Sequence, residues 1–267
     1  MITHFKTFDT KTYVYLFLVI LFSLLSFVAN GQYRKLENTA FDKGERLVYR
    51  VHYGFVDAGF AEIEVKNEDK IVAGRKVFHC IGNGYSRGAF DWFFKVRDRY
   101  ETYIDQDGIE PVMFVRRVDE GGYKISQNYI YNHSNNMVQA DGKSFKVAAH
   151  MQDMLSAFYY ARTIDFSAAK KNDIYTIPAF VDNEVFNLKI KFVGREIINT
   201  DFGNIYCMKF RPILQKGRIF KHEEDLNVWI SDDDNHIPIR AQAEILVGSI
   251  KMDLHQFSGT KSKLRFN

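Results

Sequence analysis

The stretch Gly59–Val65, with the sequence GFAEIEV, alternates apolar or small residues with charged ones. Ala61, Ile63 and Val65 fall on one face of an extended chain, and the two glutamates fall on the other. A period of two residues is typical of a β-strand with one buried face, whereas a helix repeats every 3.6 residues. This stretch therefore predicts an antiparallel sheet that is covered on one side.

A second alternating stretch runs from Phe90 to Glu101. If this stretch is extended, Trp92, Asp98 and Tyr100 share a face with apolar neighbours, and charged residues occupy the other face. Turn sequences separate such runs at the spacing of hairpins, so we expect about twelve or thirteen strands. These turns are Asp107-Gly108, Glu120-Gly121-Gly122 and Asp141-Gly142.

The segment His150–Phe166 departs from this alternation and has helical spacing. Its periodic residues are Met154, Leu155, Phe158, Tyr159 and Arg162. Asp153 stands where a helix N-cap is expected, so the pattern predicts one short amphipathic helix near 153–163. We interpret its aromatic residues as core packing.

The sequence repeats weakly on either side of this helix at a constant offset of 127 residues. The corresponding pairs are Cys80 and Cys207, Asp105 and Asp232, Asp107 and Asp234, Pro111 and Pro238, and Gly121 and Gly248. We therefore predict two similar β-meanders, at about 44–141 and 172–258, that share one core. The predicted fold is all-β with one helix, either a large twisted antiparallel sheet or an open, barrel-like β-roll.

The N-terminus predicts export. Lys6 and Lys11 precede an apolar run from Tyr13 to Val28, and Ala29 and Gly31 are small residues at the positions that a signal peptidase recognises. We expect residues 1–31 to be a cleavable signal peptide, with an uncleaved anchor as the alternative. Residues 32–267 then form a single β-rich domain without a membrane span, in the periplasm or outside the cell.

Charge and composition exclude several protein classes. The 267 residues include 36 Lys and Arg against 33 Asp and Glu, a formal net charge of +3. This balance argues against a nucleic-acid binder, which needs a concentrated basic surface. With 46% hydrophobic and 26% charged residues, the chain has the composition of a globular protein.

Two cysteines, Cys80 and Cys207, are too few for a disulfide-stabilised scaffold. An oxidising compartment would allow them to pair, whereas their apolar neighbours favour two buried thiols. Both interpretations stay open from the sequence.

Short motifs along the chain resemble those of a known protein family. The first reads Gly44-Glu45-x-Leu47-x-Tyr49-x-Val51-x-Tyr53-Gly54, followed by Ala58-Gly59-x-Ala61. Others are Val96-Arg97-Asp98, Tyr103-Ile104-Asp105, Glu120-Gly121-x-Tyr123, Asp153-x-Leu155-Ser156-Ala157-Phe158-Tyr159-Tyr160-x-Arg162 and Trp229-Ile230-Ser231-Asp232-Asp233. They are similar to the exported bacterial family called domain of unknown function 3108. The resemblance implies a β-rich exported fold, and it implies no catalytic residue because the family has no assigned activity.

The sequence contains no common motif for metal or nucleotide chemistry. The histidines and cysteines lack zinc-ligand spacing, and no nucleophile elbow or phosphate-binding loop occurs. The acidic run Asp232–Asn235 lacks the glycine and glutamate of a calcium-binding EF-hand loop, which favours a solvated β-turn. We predict neither a cofactor nor a metal ion.

Two charged residues are expected on the buried face of the sheet. Asp98 alternates with Trp92 and Tyr100, and Arg116 lies on the apolar face of the next predicted strand. Buried charges need partners, so Asp98 and Arg116 are candidates for an ion pair across a hairpin. Such a pair either fixes the strand register or lines a ligand cavity. The candidate ligand-binding residues are therefore Asp98, Arg116, Trp92 and Tyr100.

Three functions remain open at this point. The first is a non-catalytic envelope protein that binds a lipid, another apolar ligand or a partner at the outer membrane. The second is a protein–protein adaptor of an envelope assembly that has no ligand cavity. The third is a hydrolase of cell-envelope substrates. A dry cavity would favour the first, a filled core the second, and polar residues converging in a cleft the third.

Overall fold

The computed structural model describes residues 34–213, 226–244 and 248–267. Most strands in it pair with the strands that precede and follow them in the sequence. These residues form fifteen strands and two helices. No helix in this described part is long and apolar enough to cross a membrane. The predicted signal peptide, residues 1–31, lies outside the described residues.

The strands and helices have the following bounds. The strands before the longer helix are β1 Arg46–Tyr53, β2 Val56–Val65, β3 Lys70–Val72, β4 Arg75–Ser86, β5 Arg97–Asp105, β6 Pro111–Glu120, β7 Tyr123–Asn132, β8 Met137–Ala140 and β9 Lys143–Lys146. The strands after it are β10 Ile174–Val181, β11 Glu184–Thr200, β12 Gly203–Pro212, β13 Leu226–Ser231, β14 Pro238–Glu244 and β15 Ser249–Ser258. The helices are α1 Gly88–Phe93 and α2 Met154–Arg162.

All strands belong to one antiparallel sheet. Its order is β10-β11-β12-β13-β14-β15-β1-β2-β4-β5-β6-β7-β8-β9, and β3 forms a hairpin with β4. The second meander joins the first where β15 pairs with β1, from Arg46 opposite Ser258 to Tyr53 opposite Ile250. The sheet is not closed, because β9 and β10 are its two edges. The predicted fold class is confirmed, with α1 as a helix that the sequence analysis did not expect.

Side chains from the two edges of the sheet meet. The ring of Phe180 on β10 lies 5.2 Å from the ring of Phe145 on β9 and 5.2 Å from that of Tyr129 on β7. Near them, Asn183 Nδ2 donates to Asp141 Oδ2 at 2.9 Å. The sheet therefore curls until its edges are in contact, although no strand pairing joins them.

Helix α2 packs on the inside of the curled sheet, and its N-terminus has a capping box. Asp153 accepts hydrogen bonds from the backbone N–H groups of Leu155 and Ser156, and the Ser156 hydroxyl accepts from the Asp153 N–H. A Cβ atom at Gly82 on β4 would lie 3.7 Å from Leu155 Cδ1, so the helix lies directly over this strand. The predicted helix is thus present.

A fully buried ion pair ties α2 to two other parts of the chain. The Arg162 guanidinium donates to both carboxylate oxygens of Glu45, at 2.6 and 2.7 Å. It also donates to the carbonyl oxygens of Ala40 and Asn235, each at 3.0 Å. Because these bonds satisfy both charges, the chain tolerates their burial.

Two large apolar clusters lie in the interior. The first lies under α2 and contains Phe41, Val65, Phe78, Cys80, Ile104, Phe114, Tyr129, Leu155 and Tyr159. The second lies near the junction of β1 and β15 and contains Leu47, Tyr49, Ile198, Ile205, Cys207, Trp229, Ile239 and Leu254. Cys80 and Cys207 are both buried and both free, which agrees with two buried thiols and not with a disulfide.

The two meanders have matching strand orders. The six strands β1, β2, β4, β5, β6 and β7 run in the same sequence as β10 to β15. Pro111 begins β6 and Pro238 begins β14, and these residues are related by the predicted offset of 127. Superposition of the two halves, and with it the internal repeat, stays a prediction.

Candidate functional site

One face of α2 borders an open space inside the sheet. Met154, Ala157, Phe158 and Ala161 follow helical spacing and face the strands of the second meander. Between them lies a space of about 230 Å³, which we call the helix cleft. Its opposite wall consists of Ile177, Leu188, Ile190, Phe210, Val228 and Ile230.

The polar groups beside the helix cleft are already engaged. Arg162 is bound to Glu45, and the Nδ1 atom of His236 lies 2.7 Å from the Arg162 carbonyl oxygen. The Arg162 guanidinium is therefore not free to bind a charged ligand. A concave apolar surface of this kind suits a non-polar ligand held by burial of its surface.

A second apolar pocket, of about 270 Å³, lies where β1 ends and β2 begins. We call it the aromatic pocket, and its lining includes Val51, Tyr53, Phe60, Phe90, Phe94 and Ile250. Gly59 lies in its floor, where a Cβ atom would be 2.1 Å from the Tyr85 carbonyl oxygen. Only glycine therefore lets β2 and β4 approach each other at this point.

Helix α1 forms part of the aromatic pocket. It occupies the start of the stretch Phe90–Glu101, so the predicted strand is wrong there. Strand β5 begins only at Arg97, because residues 88–93 are helical. Phe90 in the helix and Phe94 at its C-cap lie four residues apart, and both line the pocket. This i, i+4 spacing is present in the sequence, but the alternation of the same stretch predicted a strand instead of a helix.

Trp92 does not face the interior. Its side chain is 83% exposed on α1, so the predicted inward orientation of Trp92 is wrong. Tyr100 is half-buried on β5, and its ring lies 6.5 Å from that of Phe114 in the first cluster. The aromatic side chains predicted to act together therefore lie in different environments.

The predicted ion pair between Asp98 and Arg116 is not formed. Arg116 lies opposite Tyr100 in the sheet register, and its Nη1 atom donates to Asp182 Oδ1 at 2.8 Å. Asp98 instead accepts a hydrogen bond from the Asp119 N–H at 3.2 Å. The partner of Arg116 comes from the turn between β10 and β11, which the curling of the sheet brings close.

Asp98 interacts with a second carboxyl group, that of Glu120. Burial raises the pKa of Glu120. The negative charge of Asp98, and a hydrogen bond in which protonated Glu120 donates to the Asp98 carboxylate, raise it further. Asp98, Tyr100 and Arg116 line neither the helix cleft nor the aromatic pocket. The described residues also contain no group of His, Cys, Asp or Glu arranged to hold a metal ion.

The acidic turn Asp232–Asn235 has the structure of a capped turn. One carboxylate oxygen of Asp233 accepts hydrogen bonds from the Ser231 hydroxyl and from the Asn235 N–H, at 2.8 and 3.0 Å. The other accepts from the Arg265 N–H at 2.9 Å. These bonds account for the acidic side chain at the centre of the turn.

Comparisons with solved structures support the fold. A β-barrel-like protein of the domain of unknown function DUF1849 from Brucella abortus has a TM-score of 0.56 and 11% identity, with 82% of this chain and 98% of that chain covered. A DUF1089 family protein from Pseudomonas aeruginosa has a TM-score of 0.37 and 10% identity, covering 67% and 87%. The Mycobacterium tuberculosis lipoprotein LppX has a TM-score of 0.17 and 13% identity, covering 84% and 90%. The first likeness concerns the fold alone, and the other two scores are too low to support an argument.

Sequence comparison identifies the family. A search of curated proteins finds no significant match. The sequence profile of DUF3108, a family of unknown function, matches residues 48–255. This range begins within β1 and ends within β15, so it contains both helices and most of the sheet. The resemblance seen in the sequence motifs is thereby confirmed, and the chain belongs to the DUF3108 family.

Proposed function

We propose that this protein is a non-catalytic envelope protein that binds an apolar ligand, such as a lipid acyl chain, in the helix cleft. The observation that carries this proposal is the contrast across α2. One side of the helix is packed against a continuous core, whereas the other borders an apolar space of about 230 Å³.

The lining of the helix cleft supports an acyl chain as the ligand. Its walls are aliphatic and aromatic, and its charged neighbour Arg162 is held by Glu45. Each methylene group buried there contributes about 0.8 kcal/mol before the costs of association. Affinity should therefore rise with chain length until the cleft is filled.

The predicted export signal supports a place in the cell envelope. The basic residues, the apolar run and the small residues before position 32 fit a signal peptide. In the periplasm, a lipid must be shielded from water, and a curled sheet with an apolar interior provides such shielding.

A cleft-filling variant tests the proposal. Ala161 lines the helix cleft, whereas Ala168 is exposed and lies outside it. We expect Ala161→Phe to weaken binding of NBD-labelled palmitate by about tenfold or more, since a benzyl group replaces part of the ligand volume. Ala168→Phe is the matched control and should bind the probe like the unaltered protein.

Two results would contradict this function. The first is an unaltered protein that does not bind the fatty-acid probe at all. The second is an Ala161→Phe variant with unchanged affinity and an unchanged melting temperature. If Ala161→Phe lowers the melting temperature, the binding test is repeated with Ala161→Leu, which adds less volume at the same position.

A further inference from the structure

Large apolar side chains are exposed together at one end of the sheet. Phe55 at the β1–β2 turn is 108% exposed, Trp92 and Phe93 on α1 are 83% and 76% exposed, and Tyr123 at the start of β7 is 66% exposed. We call these four residues the aromatic end. Single exposed aromatic residues are common, but a group of them marks an interaction surface.

Backbone hydrogen bonds hold these segments at the same end. The Arg87 N–H, just before α1, donates to the Ala58 carbonyl oxygen on β2 at 2.9 Å. The Gly121 N–H, in the β6–β7 turn, donates to the Lys95 carbonyl oxygen at 2.8 Å. The ring of Phe90 on α1 lies 6.1 Å from that of Tyr53 at the end of β1. The exposed side chains are therefore carried by a connected framework.

The charges around α1 favour a negatively charged partner. Arg87 and Lys95 flank the helix, and neither forms an ion pair with any of the described residues. The Arg87 guanidinium lies 5.6 Å from the centre of the Phe60 ring. Asp91, the acidic residue of the helix, is neutralised by Arg97 at 2.7 Å. At the β1–β2 turn, Asp57 is paired with His52 at 2.9 Å. Arg87 and Lys95 are thus positive charges close to Trp92 that no described carboxylate pairs with.

We infer that the aromatic end docks on the surface of a bilayer that contains anionic phospholipid. Phe55 protrudes from the β1–β2 turn and Trp92 and Phe93 protrude from α1, as side chains that enter a lipid interface do. Tryptophan and tyrosine are enriched in that layer. Arg87 and Lys95 lie where anionic headgroups would be. The inference goes beyond the proposed function, since the docked surface is separate from the helix cleft.

The aromatic pocket opens beside this docking surface. Phe90 and Phe94 line the pocket, and the neighbouring Trp92 and Phe93 are exposed. An apolar space of about 270 Å³ therefore lies next to the proposed docking surface.

Tryptophan fluorescence tests the docking directly. The sequence has two tryptophans, and Trp229 is only 8% exposed, so a change in emission on adding lipid reports on Trp92. The full-length sequence is expressed, and the protein is purified in the form that remains after processing by the cell. We expect vesicles of phosphatidylethanolamine and phosphatidylglycerol to shift Trp92 emission to shorter wavelength. We also expect brominated acyl chains to quench it.

Variants assign the binding to the aromatic end. The double variant Phe55→Ser, Phe93→Ser should bind these vesicles about tenfold or more weakly, because two inserted rings are lost. Ile71→Ser is the matched control, since Ile71 is 68% exposed on β3, away from α1. Exchange of Arg87 and Lys95 for glutamate should abolish the preference for anionic vesicles over phosphatidylcholine, and added salt should weaken binding.

Three results would overturn the inference. These are unchanged Trp92 emission with anionic vesicles, equal vesicle binding by the double variant and the unaltered protein, and a loss of vesicle binding in Ile71→Ser as large as that in the double variant. Binding of a protein partner at the aromatic end without any vesicle binding would also overturn it. The Ala161→Phe variant should still bind vesicles, which separates failure of the docking surface from failure of the helix cleft.

Discussion

The two faces of α2 meet different surroundings within the same sheet. Tyr159 is fully buried, with its ring 4.6 Å from that of Phe41, and Leu155 packs over Gly82. On the other face, Met154 is 41% exposed and borders the helix cleft. The comparison teaches that one helix stabilises the fold with one face and leaves an apolar space beside the other.

The largest expected effect comes from breaking the buried ion pair at the C-terminal end of α2. Glu45→Ala leaves the Arg162 guanidinium buried without its carboxylate, which typically costs about 3–5 kcal/mol. This is a large part of a typical free energy of unfolding of about 5–15 kcal/mol. Thermal denaturation followed by circular dichroism should show a much lower melting temperature.

The control for this change is Glu184→Ala at an exposed position on β11. Its melting temperature should stay close to that of the unaltered protein. If both variants melted alike, the buried pair would not anchor the end of α2.

Adjacent residues of α2 allow the two faces to be compared within one turn. Leu155→Ala removes methyl groups from a packed core and should cost about 2–5 kcal/mol of unfolding free energy. Met154→Ala should cost less than about 1 kcal/mol, because Met154 is already partly in contact with solvent. Urea denaturation measures both values, and equal losses would show that the faces do not differ.

The pH dependence of stability reports on the buried start of the same helix. Burial raises the pKa of Asp153 to about 6, although the Thr102 hydroxyl donates to its carboxylate at 2.6 Å. An unfolded aspartate titrates near pH 4, so the folded state binds the proton more tightly. The resulting stability is fully present below about pH 4 and is lost as the pH rises through about 6, by an amount on the order of 2–3 kcal/mol.

Asp153→Asn tests this pH dependence. Asparagine is also a good N-cap, so the helix should still form, but the variant has no group that titrates there. The difference in unfolding free energy between the variant and the unaltered protein should change between pH 4 and pH 7. Parallel curves from urea denaturation at several pH values would contradict the raised pKa.

The smallest effect is expected at Asp98. Since Arg116 is paired with Asp182, Asp98→Ala removes a hydrogen bond to the Asp119 N–H and leaves no buried charge without a partner. The expected loss is about 1 kcal/mol or less. Asp98→Ala should also lower the pKa of Glu120, because the charge of Asp98 and its hydrogen bond with Glu120 are gone. A loss as large as that of Glu45→Ala would restore the buried-pair interpretation.

Local patterns in the sequence were sufficient to predict the sheet and α2. Alternation at Ala61, Ile63 and Val65 identifies a strand, and Asp153 identifies the start of a helix. These features depend on residues a few positions apart. Helix α1 was missed because its aromatic run satisfies a period of two as well as the i, i+4 spacing of Phe90 and Phe94.

Pairing between distant residues was beyond local patterns. Arg116 and Asp182 are 66 residues apart, and Glu45 and Arg162 are 117 apart. Both pairs depend on how the sheet curls, which alternation does not determine. The sequence therefore identified Arg116 as a charge that needs a partner and assigned it the wrong one. The helix cleft also depends on how the sheet curls, since its walls come from α2 and strands of the second meander.

Native mass spectrometry of protein purified from its own cell envelope tests the central claim most directly. The unaltered protein and the Ala168→Phe control should carry an additional mass that corresponds to a lipid or a fatty acid. The Ala161→Phe variant, in which the helix cleft is filled, should lack it while keeping its melting temperature. An unaltered protein without bound lipid, or the same bound mass in the Ala161→Phe variant, would contradict the claim that the helix cleft binds an apolar ligand.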